Sequence, residues 1–528
     1  MQGLWLLMPL KRLNFSKANE MYKIIYIKTM YRKTLIPIVF IALSVVNYQA
    51  NGQTLISLEK ALEIAGQNSP DIQQSLLNLE RYKQSLKAQR ASLKSRFELG
   101  VTPFSYSNER KFDEYNSKWF TSEHTKSSGT FSIIQPFLPT DATISLNNEF
   151  GWMKNFNERT GLDGSIVGST TKSFSNNLYL SISQPLFTYN KRKLELRGIE
   201  LDYENANLSY TMQMLSLEKS VSQYFYQVYM AQMSLAIAKD ELEKTQQSHD
   251  IISNKVNAGL AAKEQLYQAE LNLMNAKSSL QNREVELENI KDDFKSFIGI
   301  QLKDEVITLA DISITPTQVD MAIAVQHALE ARMELRQKQI SIENSQFDLI
   351  KTKALNDFKG DLNLSIGLFG ENEALANTYD NPTRSPKVSV TFNIPIFDWG
   401  EKKSRIRAQE AVIKSSELDL ENQKIQIELN IRKVYRNIQN LLTQIDIAKQ
   451  NEKNAQLTYE INLERYRNGD LTSMDLKLYQ NQLSEKKMSL VQAQINYKLE
   501  LLNLKIQSLY DFEKNQPLVP TDLFSNQK

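Results

Sequence analysis

The chain has 528 residues, 63 Lys and Arg against 61 Asp and Glu, a formal net charge of +2 and no cysteine. The near balance of charge removes the electrostatic case for a nucleic-acid partner. The missing thiols exclude disulfides, thiolate metal sites and a lipid-accepting cysteine at a mature N-terminus.

In chain order, Arg32 and Lys33 precede a mostly apolar run from Leu35 to Val46, followed by Ala50-Asn51-Gly52, small residues at the spacing of a signal-peptidase site. The run is too short to span a bilayer as a helix, so residues 1–52 read as a signal peptide and the mature chain is expected to start at Gln53. Met30 would start a compact signal by itself, which makes the residues before it an expected upstream extension.

Ser57 to Ala65 reads as a short helix, and Asn68-Ser69-Pro70-Asp71 opens another, with Ser69 as cap and Pro70 at the first position; together they give a helical span over 58–96. The period then changes to two over about 98–187. Leu178, Leu180 and Ile182 alternate with Tyr179, Ser181 and Ser183, and the run ends at Pro185, which removes a ladder donor and suits a strand exit. The polar stretches Asn108–Ser128 and Met153–Asn177 predict loops. From 190 to 298 the period becomes seven: Val221, Val228, Leu235, Leu242 and Val256, then Leu266, Leu273, Leu280, Leu287 and Phe294 after Gly259, predict a long helical hairpin. A linker follows over 299–317.

The same layout recurs. Helices are predicted over 320–358, strands over 361–396 around a polar loop at Glu371–Lys387, and a second hairpin over 401–511. Its seam is Ile431, Ile438, Ile445, Tyr459 and Tyr466, then, beyond Gly469, Leu476, Leu483, Leu490, Tyr497 and Leu504. Gly400-Glu401-Lys402-Lys403-Ser404 lacks the earlier glycine of a phosphate loop and more simply opens this helix. One offset, 210, aligns Gln184-Pro185-Leu186-Phe187 with Ile394-Pro395-Ile396-Phe397 and Gly259 with Gly469; another, 263, relates Ile72, Leu79, Leu86 and Leu93 to Leu335, Ile342, Leu349 and Asn356. The chain is therefore an internal duplication, with repeats at 53–317 and 318–511 and a tail at 512–528. The second offset is the larger, so the strand region of the first half is the longer one. Its excess predicts an additional β-hairpin, Thr130–Phe137 and Thr143–Phe150 around Leu138-Pro139-Thr140-Asp141. The hairpin is expected beyond a barrel rim as an extracellular cap, the other arrangement being a wider barrel with six strands per chain.

A signal sequence, strands apolar on one face, and rods of about 100 Å at the helical rise predict an α+β membrane protein: duplicated helical hairpins forming a periplasmic α-barrel, joined to a transmembrane β-barrel in an outer membrane. Four strands cannot close a barrel alone, so protomers must share one. A periplasmic adaptor would need one hairpin and lipoyl-like strands; a coiled-coil structural protein would not need period-two strands twice. The three histidines, His124, His249 and His327, are far apart in sequence, and neither metal, cofactor nor enzymatic activity is expected.

The duplicated layout, the two strand exits and the tips Val256-Asn257-Ala258-Gly259-Leu260 and Tyr466-Arg467-Asn468-Gly469-Asp470-Leu471 resemble the TolC-like outer membrane efflux protein family. The resemblance implies a homotrimer whose four strands per chain build a twelve-stranded barrel over a tapered helical tunnel. It also implies a passive exit duct of a tripartite efflux or type I secretion system, with a periplasmic adaptor, an inner-membrane pump and outer-membrane lipid as partners. Gly259, Leu260, Ala261, Gly469, Asp470, Leu471 and Thr472 would be the adaptor-contact tips, Tyr466 the constriction tyrosine and Asp475 a ring of charge at the entrance. Leu471, Gln265 and Leu478 stand where the family's best-studied pattern has an arginine and two aspartates. Closure is therefore expected to rest on Tyr466 and apolar contact, with a weak response to salt and pH.

Overall fold

The computed structural model describes residues 54–115, 117–160 and 165–518; the expected signal peptide and the end of the tail lie outside the described residues. In chain order come β1 (Thr54–Ile56), α1 (Leu58–Asn68), α2 (Pro70–Ser92), β2 (Arg96–Asp113), β3 (Lys118–Phe137), β4 (Ala142–Thr160) and β5 (Ile166–Leu186). The first hairpin is α3 (Lys191–Asn257) with α4 (Lys263–Ile298), and β6 (Val306–Thr308) follows. The second half contains α5 (Met321–Ala331), α6 (Met333–Lys353), β7 (Lys359–Asn372), β8 (Thr383–Arg384), β9 (Lys387–Asn393), α7 (Glu401–Asn468) and α8 (Ser473–Ser508). Two short strands, β10 (Tyr510–Asp511) and β11 (Gln516–Pro517), close the described chain.

The duplication is visible in backbone geometry. Moving α4 along by the first sequence offset gives the bounds of α8, and moving α1 by the second gives those of α5. The break between α1 and α2 falls at Ser69 (φ −58, ψ 126) and that between α5 and α6 at Arg332 (φ −64, ψ 124), positions related by the same second offset. The long limbs α3 and α7 have 67 and 68 residues, about 100 Å at 1.5 Å per residue. Stacked shorter helices pack along them. Phe225, Val221, Phe294 and Ile298 form one mid-rod core with α1, while Ile431, Ile438, Tyr497 and Leu504 form its counterpart with α5.

Both short helices end earlier than the sequence pattern predicts. Lys94 N–H turns back to Ala91 O at 3.0 Å, which tightens the last turn of α2, so the chain is strand from Arg96. After α6, Asn356 takes a left-handed φ of +45, and β7 begins at Lys359.

The described strands form a sheet ordered β2-β3-β4-β5-β7, with β8 and β9 successive pieces of a sixth strand beyond β7. Neighbours are antiparallel throughout. One expectation is corrected here. The predicted loops Asn108–Ser128 and Met153–Asn177 are largely ladder: β2 pairs with β3 out to Asp113↔Lys118, and β4 with β5 out to Thr160↔Ile166. Their Ser, Thr, Asn and Lys side chains show no alternation, yet backbone pairing holds them, broken only by a register shift around Pro103, which has no N–H to give the ladder. The additional hairpin exists, with its turn at Leu138–Asp141, and β3 and β4 are laddered neighbours within the sheet.

Candidate functional site: the sheet faces and the hairpin tips

Residues directly opposite one another across a ladder share a face of the sheet. Phe97 faces Ile133, Ile133 faces Leu146, Leu146 faces Leu180, and Leu180 faces Ile366. A second row runs Ile144, Ile182, Leu364, Val388. The other face carries Glu98, Ser132, Asn147, Tyr179 and Gly367 in one row and Ser145, Ser181 and Ser365 in another. The sheet is thus largely apolar on one face and largely polar on the other, with Gln135 and Asn148 on the apolar face and Ile134 on the polar one as exceptions. Aromatic rings bracket the apolar band. At the helix side Phe187 lies 5.1 Å from Phe358 and Phe358 5.4 Å from Phe392; at the far side Phe150 lies 6.4 Å from Phe174, with Trp152 opposite Phe174. Apolar outer faces flanked by aromatic girdles are the pattern of a transmembrane barrel wall. Among the described residues no helix is long and apolar enough to cross a membrane.

The turn of the β3–β4 hairpin is bound to the start of α3. Arg192 donates to Asp141 O at 2.6 Å, Asp141 Oδ1 at 3.0 Å, Ala142 O at 3.0 Å and Thr143 Oγ1 at 2.7 Å. Asn190 caps α3 by accepting from Lys193 N–H at 2.8 Å and donates its own amide to Leu138 O at 2.5 Å.

At the opposite end of the rods each hairpin turns through one glycine. Gly259 has φ +73 and Gly469 φ +95, conformations that favour glycine. Leu260 N–H bonds to Lys255 O at 2.8 Å and Asp470 N–H to Arg465 O at 3.0 Å, the same closing bond at equivalent positions of the two repeats. The next helices start differently. Thr472 Oγ1 accepts from the Asp475 N–H at 3.2 Å and donates to Asp475 Oδ2 at 2.7 Å, a reciprocal cap, whereas Ala262 offers no side-chain cap.

Behind the tips the two hairpins are joined. Tyr466 is 1% exposed, packed with Tyr459, Leu476 and Leu483, and its hydroxyl donates to Ser248 O at 3.1 Å. Burial pushes its phenol above the usual range, opposed by a hydrogen bond with Ser473. Lys255 Nζ donates to Tyr466 O at 2.8 Å. Higher up, Gln480 donates to Glu241 O at 2.8 Å and Thr245 Oγ1 at 3.2 Å, Lys477 pairs with Glu241, and Lys487 lies 3.4 Å from Asp240.

The sequence model of the family described as outer membrane efflux protein matches residues 143–291 and 324–506 of this chain, more than half of its length. The chain belongs to the outer membrane efflux protein family. Its fold is shared with solved channels: the Campylobacter jejuni CmeC outer membrane channel (15% identity, 93% of this chain and 96% of that one, TM-score 0.63), and VceC of Vibrio cholerae (15%, 86% and 95%, 0.60). The Neisseria gonorrhoeae MtrE channel, solved in an open state, is similar (14%, 86% and 89%, 0.60). No curated protein matches significantly.

In this efflux family member the expected site residues fall into separate surroundings. Gly259, Leu260, Ala261, Gly469, Asp470 and Thr472 form the two turns, with Leu260 79% exposed, while Leu471 is partly tucked against the Tyr466 cluster. Tyr466 is buried between hairpins of its own chain and Asp475 is exposed on the first turn of α8. The interhairpin pairs Lys477–Glu241 and Lys487–Asp240 escaped the sequence reading, because their partners lie on the other repeat, far away along the chain. Lys255 had a signal: the offset that aligns the tip glycines makes it the counterpart of Arg465.

Proposed function

We propose that the chain is the outer membrane channel of a tripartite efflux or type I secretion system. In this reading, a homotrimer gives substrates a passive exit from periplasm to exterior, with the sheet in outer-membrane lipid and the rods crossing the periplasm. The observation that carries this is the union, in one chain of this family, of a sheet apolar on one face and polar on the other with paired rods of about 100 Å. Three copies would place their apolar faces against lipid and their polar faces around a lumen. The tips at Gly259–Ala261 and Gly469–Thr472 would meet a periplasmic adaptor and, through it, an inner-membrane pump. Tyr466 would hold the tunnel mouth closed from within each protomer, and three Asp475 carboxylates would ring it.

Purified protein reconstituted in planar bilayers tests the proposal. Stepwise conductance from a heat-modifiable, detergent-resistant trimer is expected; a monomer that neither inserts nor conducts would overturn it.

A further inference from the structure

We infer that the β2–β3 hairpin is a third pair of wall strands, so that each chain brings six strands and three copies close a barrel of eighteen. The inference rests on the proposed trimer and specifies what its shared wall is made of.

Four observations converge. The hairpin is laddered to β4 from Ser122↔Asn157 to Phe137↔Ala142, so it continues the sheet. The apolar row passes through it: Phe97 and Leu99 face Ile133 and Phe131 and are 65% and 71% exposed, a costly arrangement in water and the expected one against lipid. The inner turn at Leu138–Asp141 is fastened to the start of α3 by Arg192 and Asn190, which sets the hairpin at the level where the other strands meet the rods. The family match begins at residue 143, so the hairpin lies outside the part of the chain that the family model describes.

Closure then follows from strand direction. Six alternating strands leave β2 and β9 at the two edges, each without a strand partner on its outer side among the described residues, and running in opposite senses. The β9 edge of one protomer can therefore continue the ladder onto the β2 edge of the next with every pair antiparallel. Six strands are too few to close on themselves, since the smallest transmembrane barrels have about eight. Widths also agree. Strands about 4.8 Å apart and tilted by about 40° give six of them roughly 38 Å of circumference, and four helices about 9.5 Å apart take up the same. A barrel of eighteen strands is about half again as wide as one of twelve.

The native chain has no cysteine, so cysteine placement reads the wall directly. Leu99→Cys is combined in turn with Val388→Cys, Val390→Cys and Phe392→Cys in the full-length protein, and Leu146→Cys with the same three serves as the comparison. Mild oxidation should link Leu99→Cys to one of the three between protomers, giving covalent dimers and trimers, and Leu146→Cys to none. Separately, in phospholipid vesicles a charged maleimide should label Lys111→Cys at least tenfold faster than Leu99→Cys. Detergent-resistant trimers that link through Leu146→Cys, or in which Leu99→Cys labels as fast as Lys111→Cys, would make the hairpin a cap and overturn the inference while leaving the channel intact. Absence of any trimer would overturn the channel reading and this inference together.

Discussion

Lys255, in the last turn of one hairpin's long limb, donates to the carbonyl oxygen of Tyr466 at 2.8 Å and holds its ammonium 5.5 Å from the same residue's ring. One side chain thus ties two helix C-termini together, where the helix dipoles favour a cation. Lys255→Met keeps most of the aliphatic stem and removes the donor and the charge. The tip seam should loosen by about 1–2 kcal/mol, read as faster hydrogen exchange at the amides of 465–470 and a higher open probability in planar bilayers.

Asp475 serves the cap of α8 and, in the proposed trimer, the charge of the entrance, and two substitutions separate these roles. Thr472→Ala removes the capping hydroxyl and should cost about 1 kcal/mol in local stability with little change in ion preference. Asp475→Asn removes the charge while retaining a polar side chain, and cation over anion selectivity should fall. Reversal potentials across a salt gradient decide it: if they are unchanged in Asp475→Asn, the residue is a cap and not an entrance ring.

Tyr459 gives the tip seam a response to alkali. Burial, aided by the negative charge of Asp240 and opposed by Arg467, pushes its phenol up to about 12. An unfolded tyrosine titrates near 10, so the folded state holds its proton more tightly. The corresponding stability is complete below about pH 10 and is lost as pH rises through the folded value. Tyr459→Phe should flatten this part of the melting-temperature profile between pH 10 and 12, followed by circular dichroism.

Arg192 makes the joint between wall and rod, and the Asp141 carboxylate it meets is almost enclosed. Arg192→Met leaves that carboxylate without its cation and should cost about 2–4 kcal/mol. The yield of heat-stable trimer should fall, and Asp141→Asn in the same chain should recover part of it.

The seven-residue step was legible because both sides of its seam lie within one chain: Ile431, Ile438, Ile445, Tyr459, Tyr466, Leu476, Leu483 and Tyr497 are all buried. The alternation Leu178, Leu180, Ile182 was legible because one face of that strand is apolar and the other, with Tyr179, Ser181 and Ser183, is largely polar. Beyond Phe150 and Phe174 the strands carry mostly polar side chains on both faces, so polar ladder and polar loop look alike in sequence. The tip glycines could be read from composition, since a left-handed turn favours them. The ion pairs behind the tips could not, since nothing local to Lys477 names Glu241 as its partner.

The polar ends of β2–β5, which run past β7 and its neighbours, are paired ladders with mostly polar side chains on both faces. Exchanging one such side chain for another disturbs little. Inserting or deleting one residue turns every later side chain to the opposite face and spoils the pairing on either side. As lineages diverge, this region should therefore change its composition freely while keeping its length, with insertions gathering past the last ladder pairs, between Asp113 and Lys118 and between Thr160 and Ile166.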